Sequence, residues 1–94
     1  MQKYLVEFVG TFFFLFVIIA IGNPLAIGAA LTLVVYLGGK ISGGDFNPAV
    51  TIMMALAKKM PVYDIVPYFI AQIAGALAAL ALYKATLTTF HTWR

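Results

Sequence analysis

Polar residues are rare in this chain, and one short segment groups them in a pattern that could do chemistry. Asp45 and Asn47 flank Phe46, and Pro48 follows directly. Asn is a favoured helix N-cap, and Pro fits the first helical position, where its missing N–H costs nothing. The sequence therefore predicts a short helix over residues 48–57. A capping Asn uses its side-chain oxygen on the helix and keeps its amide N–H groups, which can donate to a neutral polar molecule.

The other reactive side chains form no catalytic arrangement. The single histidine, His91, lies near the C-terminus without partners, and the chain has no cysteine. Disulfides and thiolate metal sites are thereby excluded. Because no hydrolytic or redox constellation appears, we expect no enzyme activity, no metal site and no cofactor.

The composition shows which solvent must surround these residues. Of 94 residues, 64% are hydrophobic and 10% are charged, and the mean hydropathy is +1.03. Soluble domains are about half apolar and about a quarter charged, so this chain is built for lipid. The net charge of +3 comes from cations at the ends of apolar runs, where membrane proteins place interfacial Lys and Arg. We expect the lipid bilayer as the partner and no nucleic acid.

Charge-free runs predict three membrane spans. Residues 8–39 carry no charge and would make a single helix about 48 Å long, well beyond one bilayer core, so the run must fold back. The turn signal at 22–24 divides it into a first span over about 4–21 and a second over about 25–39. A later charge-free run predicts a third span over about 62–83.

The segment 40–59 between the second and third spans is predicted to be re-entrant. Its uncharged core, 46–57, is too short to cross a membrane and too apolar for an ordinary loop. The approach over residues 41–46 holds Gly43 and Gly44 and can be extended, which brings Asn47 near the bilayer midplane. Non-helical backbone at that depth must be buried or line water, which indicates a pore. An amphipathic surface loop is the alternative.

Three strings then carry a resemblance to a known family. SGGDFNPAVT, residues 42–51, resembles the SGAHFNPAVT-like first signature loop of the aquaporin (major intrinsic protein) family. EFVGTFFFLF, residues 7–16, resembles the start of that family's first helix, and PYFIAQIAGALAALALY, residues 67–83, resembles its third. The resemblance implies an all-α membrane protein in which residues 1–94 form a single aquaporin-type half repeat, with three transmembrane helices plus one re-entrant half-helix.

The resemblance also implies which residues line a pore. Asn47 would be the main hydrogen-bond donor, backbone carbonyls of the approach would be the acceptors, and the second span would add a hydrophobic wall. The positive dipole end of the half-helix would repel protons and cations while neutral solutes pass. The pore-lining residues implied in this way are Gly43, Gly44, Asp45, Asn47, Pro48 and Ala49, with Ile27 and Val35 on the second span.

Three further polar residues have two interpretations each. The resemblance implies that Glu7 holds the loop backbone by accepting N–H bonds; the alternative is an interfacial Glu among headgroups. Gln72 either braces the loop or makes an ordinary interhelical contact. Asp45 stands where the family usually carries His. It either lines the vestibule and weakens the barrier to cations, or bonds to nearby backbone N–H groups.

Family members carry two such halves in inverted orientation, whereas this sequence holds one. The resemblance therefore implies a channel for water or small neutral solutes such as glycerol, whose pore is closed by a second half-channel. That second half is either an inverted copy in a homo-oligomer or a separate chain. The alternative is a truncated or split aquaporin half that does not conduct alone.

The basic residues predict an orientation for a multi-pass membrane protein. Four lysines fall on one side of the predicted spans and two cations fall on the other, a bias that places the N-terminus in the cytoplasm. The first group is Lys3, Lys40, Lys58 and Lys59, and the second is Lys84 and Arg94.

Overall fold

Four α-helices make up the fold of the part of the chain that the structure describes. The computed structural model describes residues 1–90, so His91 and Arg94 lie outside the described residues. The helices are α1 (Gln2–Ala20), α2 (Pro24–Ser42), α3 (Pro48–Leu56) and α4 (Ile65–Phe90), with a 3-10 turn, Val62–Asp64, before α4. Within residues 1–90, three segments are long and apolar enough to cross a membrane: Gln2–Ala20, Pro24–Ser42 and Val62–Leu87. The predicted fold class, an all-α membrane protein resembling half of an aquaporin, is confirmed.

The turn between α1 and α2 forms where the sequence carries its turn signal. Gly22 has a positive φ of 72°, and the side chain of Asn23 accepts hydrogen bonds from the backbone N–H groups of Leu25 and Ala26. Pro24 occupies the first turn of α2. The N-cap and the proline together start this helix for purely local reasons.

α2 extends three residues beyond the predicted second span over 25–39. It continues through Lys40 and ends at Ser42. The glycines at 38 and 39 do not end the helix. A Cβ at Gly38 would lie 2.7 Å from Cγ1 of Val6, so a small residue is needed where α2 packs against α1. The stop comes from Gly43, whose φ of 90° lies in the left-handed region that ends many helices.

α1 lies between α2 and α4 and packs against both. The approach to α4 is close at Gly75, where a Cβ would lie 2.8 Å from the carbonyl oxygen of Phe8 and 3.0 Å from the backbone nitrogen of Phe12. Small residues at such crossings let helix backbones approach closely in a membrane. As a result α1 is the wall that the other two long helices share, and polar groups on it can contact both.

The connector between α2 and α3, residues 43–47, has an unusual backbone conformation. The approach was predicted to be extended over 41–46, but Ile41 and Ser42 belong to α2, so the non-helical stretch is shorter. Gly44 and Phe46 both have positive φ, 70° and 52° respectively. A positive φ is rare for an aromatic residue and has to be held by its surroundings.

The segment that follows α3 leads directly into the third long helix. The third span was predicted over 62–83; in the structure it begins as the 3-10 turn Val62–Asp64, and α4 continues to Phe90. Pro67 lies in the first turn of α4, where its missing N–H removes no helical hydrogen bond. At its start α4 is joined to α1, because Asp64 accepts hydrogen bonds from Lys3 Nζ and the Tyr4 hydroxyl, each at 2.7 Å.

Candidate functional site

The carboxylate of Glu7 is the centre of the polar contacts in this fold. It is fully buried, about one turn into α1, and it accepts four hydrogen bonds. Its Oε2 atom accepts from Ser42 Oγ at 2.7 Å and from the Asp45 backbone N–H at 3.2 Å. Its Oε1 atom accepts from the Phe46 backbone N–H and from Gln72 Nε2, both at 2.9 Å. One side chain of α1 therefore joins the end of α2, the connector and α4 through four hydrogen bonds.

A short relay of side chains extends this network to α3. Gln72 Nε2 also donates to Thr51 Oγ1 at 2.9 Å, and Thr51 Oγ1 donates to Asp45 Oδ2 at 2.8 Å. Asp45 is 5% exposed, so its carboxylate points inward. Its side-chain partner is a hydroxyl on α3 rather than the nearby backbone N–H groups considered in the sequence analysis, and its pore-lining role stays a prediction.

Ser42 fixes the start of the connector. Besides donating to Glu7, its Oγ accepts from the backbone N–H of Gly44 at 3.1 Å. Its carbonyl oxygen accepts from the hydroxyl of Tyr68, a buried residue on α4. The connector is consequently held at both ends, by Ser42 at its entry and by the Phe46 N–H at its exit.

Packing of the Phe46 side chain also holds the connector. Phe46 is 2% exposed and its ring lies against the bare backbone of Gly10 on α1, where a Cβ would come within 2.7 Å of the ring atom Cζ. The glycine provides the space, and the ring and the Glu7 bond together keep Phe46 at its positive φ.

Asn47 is presented at the end of this braced segment. It is exposed, and its Oδ1 accepts from the backbone N–H of Ala49 at 2.8 Å, which caps α3. Its Nδ2 group donates to no atom of residues 1–90, so both amide hydrogens are available to an external acceptor. Because the N-terminal end of a helix carries partial positive charge, this position favours neutral or electron-rich groups over cations.

The remaining residues predicted to line a pore form two pairs, and two residues belong to neither pair. Pro48 and Ala49 are exposed beside Asn47 on α3. Gly44 approaches α2, since a Cβ there would lie 3.5 Å from Cγ1 of Val35, which is itself 41% exposed. Of the other two, Gly43 is exposed where α2 ends, next to Gly44, and Ile27 lies eight residues before Val35, about 12 Å along the same helix. The structure thus brings Gly44 and Val35 together and leaves Ile27 at a distance.

Sequence reasoning missed three members of the network. Ser42, Thr51 and Tyr68 all contribute hydrogen bonds to it. Ser42 and Thr51 are the first and last residues of the string SGGDFNPAVT, and Tyr68 precedes Gln72 by four positions. Polar residues four apart in an apolar helix share a face, so this spacing is the signal that could have found Tyr68.

Comparison with known proteins gives a consistent result. The family model for the major intrinsic proteins matches residues 1–92. Similar relatives include the glycerol uptake facilitator protein-like 6 of Lactiplantibacillus plantarum, 47% identical over 89% of this chain and 43% of the relative. Aquaporin Z of Rhodopseudomonas palustris is 42% identical over 86% of this chain and 40% of the relative.

The propanediol uptake facilitator PduF of Salmonella typhimurium is also similar, at 39% identity over 92% of this chain and 39% of the relative. The chain therefore spans about two fifths of the length of these relatives. No solved structure matches it significantly.

Proposed function

Since the chain belongs to the major intrinsic protein family, we propose that it forms one wall of a transmembrane channel for water or small neutral solutes such as glycerol. The relatives named as an aquaporin and as facilitators of glycerol and propanediol uptake support that class of solute. Three apolar helices fit a multi-pass membrane protein.

The observation that carries this proposal is the free amide of Asn47 at the N-terminal end of α3. A solute that leaves bulk water must exchange its hydrogen bonds for others, and the Asn47 amide offers two donors at a fixed position. The positive end of α3 makes the same position unfavourable for cations. A channel selective for neutral molecules needs hydrogen-bond donors for its solute and a barrier against cations. Asn47 and the end of α3 would provide both at one position.

In this proposal a second half closes the pore from the side opposite α3. The faces that would meet it are exposed and mostly apolar: Pro48 and Ala49 beside Asn47, and Val35 on α2. An inverted copy of this chain or a separate partner chain would supply the second half. The competing proposal is a half that packs against such a partner and conducts nothing alone.

The N-terminus is proposed to face the cytoplasm. Lys40, Lys58 and Lys59 are exposed, and Lys3 is bound to Asp64, which lies directly before α4. The cytoplasmic side of a membrane protein is the one enriched in such residues. Because the chain has no cysteine, a single Lys59→Cys variant can be labelled selectively. Labelling of intact cells by an impermeant maleimide, without permeabilisation, would contradict this orientation.

Osmotic shrinkage of proteoliposomes that contain only this chain tests the channel directly. Water permeability is measured by stopped flow in a sucrose gradient, and glycerol permeability by the reswelling that follows a glycerol gradient. Permeability above that of protein-free vesicles supports a pore formed by copies of the chain. Permeability equal to lipid alone, with the chain correctly inserted, overturns the self-sufficient channel and favours the half that does not conduct alone.

A pair of matched variants tests the role of Asn47 itself. Asp caps a helix as well as Asn does, so Asn47→Asp keeps the cap of α3 and removes the two amide donors. We expect permeability to fall roughly fivefold, which corresponds to the loss of about 1 kcal/mol of hydrogen bonding. Asn23→Asp makes the same change at the cap of α2 and should conduct like the wild type. Equal permeability of the two variants would remove Asn47 from the solute pathway.

A further inference from the structure

An apolar groove runs between α1 and α2, and Asn47 does not line it. Its volume is about 540 Å³, within the range of pockets that bind small molecules, and its lining surface is only apolar. The buried glycines Gly10 on α1 and Gly38 on α2 leave room at its floor, and the exposed side chains of Leu5 and Leu37 flank it. The groove can therefore hold an apolar group, and it offers nothing to a polar solute.

The length of the groove matches one leaflet of a bilayer. On α1 its lining extends from Leu5 to Phe13, eight residues and about 12 Å along the helix. Half of a hydrocarbon core about 30 Å thick is about 15 Å. Gly38 packs against Val6, so the groove begins where the start of α1 meets the end of α2, on the side proposed to face the cytoplasm. An acyl chain of that leaflet fits this length, whereas a partner's transmembrane helix would cross both leaflets.

A cation without an acidic partner lies at the outer end of the groove. Lys40 is exposed, and it follows Leu37 by three positions and Leu33 by seven, a spacing that puts it on the same face of α2 as these two lining residues. Lys3, in contrast, is bound to Asp64. Lys40 pairs with no acid of residues 1–87, so its ammonium group is available to an external anion.

The groove also faces away from the surface on which a second half would close the pore. That surface includes Val35 on α2. Leu33 and Leu37, which line the groove, are each two residues from Val35 and therefore lie about 160° around the helix from it. A second half that packs against Val35 leaves the groove open to the membrane.

We propose that this groove binds one acyl chain of an anionic phospholipid, with the lipid phosphate at Lys40. Basic groups between membrane helices on the cytoplasmic side bind anionic headgroups, and the long stem of a Lys lets its ammonium group reach the interface. The apolar groove and the cation at its end thus match the two parts of one lipid molecule. This binding does not depend on whether the chain conducts.

The outer surface of α4 provides a reference for lipid that merely surrounds the protein. Gln72 donates to Glu7, so Ile70 and Leu5, each two residues earlier, lie at about the same depth. Their exposed fractions are 64% for Ile70 and 62% for Leu5. Ile70 does not line the groove. Surrounding lipid should therefore contact the two side chains equally, and a lipid held in the groove should contact Leu5 more.

Photo-crosslinking in lipid nanodiscs tests this proposal. The probe is phosphatidylglycerol with a diazirine on one acyl chain, added as a minor component to phosphatidylcholine, and the labelled residues are mapped by mass spectrometry. We expect Leu5 and Leu37 to be labelled several-fold more than Ile70. Equal labelling of Leu5 and Ile70 would overturn the proposal, because the groove would then hold only ordinary surrounding lipid.

The part played by charge is measured with a matched probe and a matched variant. Phosphatidylcholine with the same diazirine has no net charge, and Lys40→Gln removes the cation of the protein. In either case we expect the labelling of Leu37 to fall about fivefold, the factor that one Lys contributes beside an anionic lipid surface. Lys59→Gln removes an exposed charge from a segment that does not line the groove, and it should be labelled like the wild type. Labelling of Leu37 that is unchanged by Lys40→Gln, or that falls equally in both variants, would overturn the proposal.

A second copy of the chain is the other occupant that the experiment must distinguish. Because the sequence has no cysteine, a Leu37→Cys variant can form a disulfide only between two copies. We expect the variant to stay monomeric on oxidation in the bilayer. Disulfide-linked dimers formed by most of the protein would show that another copy covers the groove, and they would overturn lipid binding there.

Discussion

Two helices of this protein begin with the same dipeptide, and the comparison separates local helix capping from a functional site. Asn23–Pro24 starts α2, and Asn47–Pro48 starts α3. Both Asn residues are in the extended region, and both accept a backbone N–H two residues on at 2.8 Å. The two helix starts thus share this capping bond, and Asn23 accepts a second one from the backbone N–H of Ala26.

The residues that precede the two caps are what differs. Asn23 follows Gly22, which is exposed and free to take a positive φ, and its side chain bonds only to residues two and three positions on. Asn47 follows Phe46, whose ring is buried and whose backbone N–H donates to Glu7, 39 residues earlier. An Asn-Pro pair starts a helix in both places. At the second, the buried Glu7 side chain and the buried Phe46 ring hold the preceding backbone, so the Asn47 amide donor has a fixed position.

The largest effect that should separate the two helix starts is expected from Glu7→Gln. A Gln side chain has one acceptor oxygen, so it cannot accept from the four donors that now bond to Glu7. We expect a loss of about 3 kcal/mol in the free energy of unfolding, because at least one buried donor is left without an acceptor. Hydrogen exchange at the Phe46 N–H should accelerate, while exchange at the Leu25 N–H should not change.

Asn23→Ala provides the reciprocal measurement. This change removes the cap of α2 and should accelerate exchange at Leu25 and Ala26 without affecting Phe46. If Glu7→Gln accelerated exchange equally at both helix starts, the carboxylate would be stabilising the whole bundle rather than the connector. The distinction between the two helix starts would then fail.

The same contrast, between local signals and contacts with distant residues, determines how much of the fold could be predicted from sequence. The charge-free runs and the turn at Gly22 determine three spans, and Asn47–Pro48 determines where α3 begins, because these are local properties. The end of α2 could not be found this way. Gly38 and Gly39 resemble a helix end in sequence, and only packing against α1 shows that the helix continues to Ser42.

The contacts of the site were predictable only in part for the same reason. The family resemblance implied that Glu7 accepts hydrogen bonds from backbone N–H groups of the loop. For Gln72, bracing of the loop was one of two interpretations. The hydroxyl partners Ser42 and Thr51 depend on how the connector folds, and that depends on a positive φ at Phe46 that the sequence does not show. The two buried side-chain oxygens without a hydrogen-bond partner, Thr11 Oγ1 and Gln72 Oε1, are found only when every donor in the network has been assigned.

A smaller effect is expected from alanine substitutions at two glycines, one beside each region. A methyl group at Gly10 would overlap the ring of Phe46, and the ring cannot move without pulling the Phe46 N–H away from Glu7. Overpacking of this kind costs about 2 kcal/mol. Gly28, in α2 just after the Asn23 cap, has no atom within 4 Å of the added methyl group, so Gly28→Ala should stabilise the helix by about 0.5–1 kcal/mol. The free energy of unfolding, measured in detergent, should therefore fall for Gly10→Ala and rise for Gly28→Ala. A Gly10→Ala protein as stable as Gly28→Ala would mean that the Phe46 ring does not hold the connector.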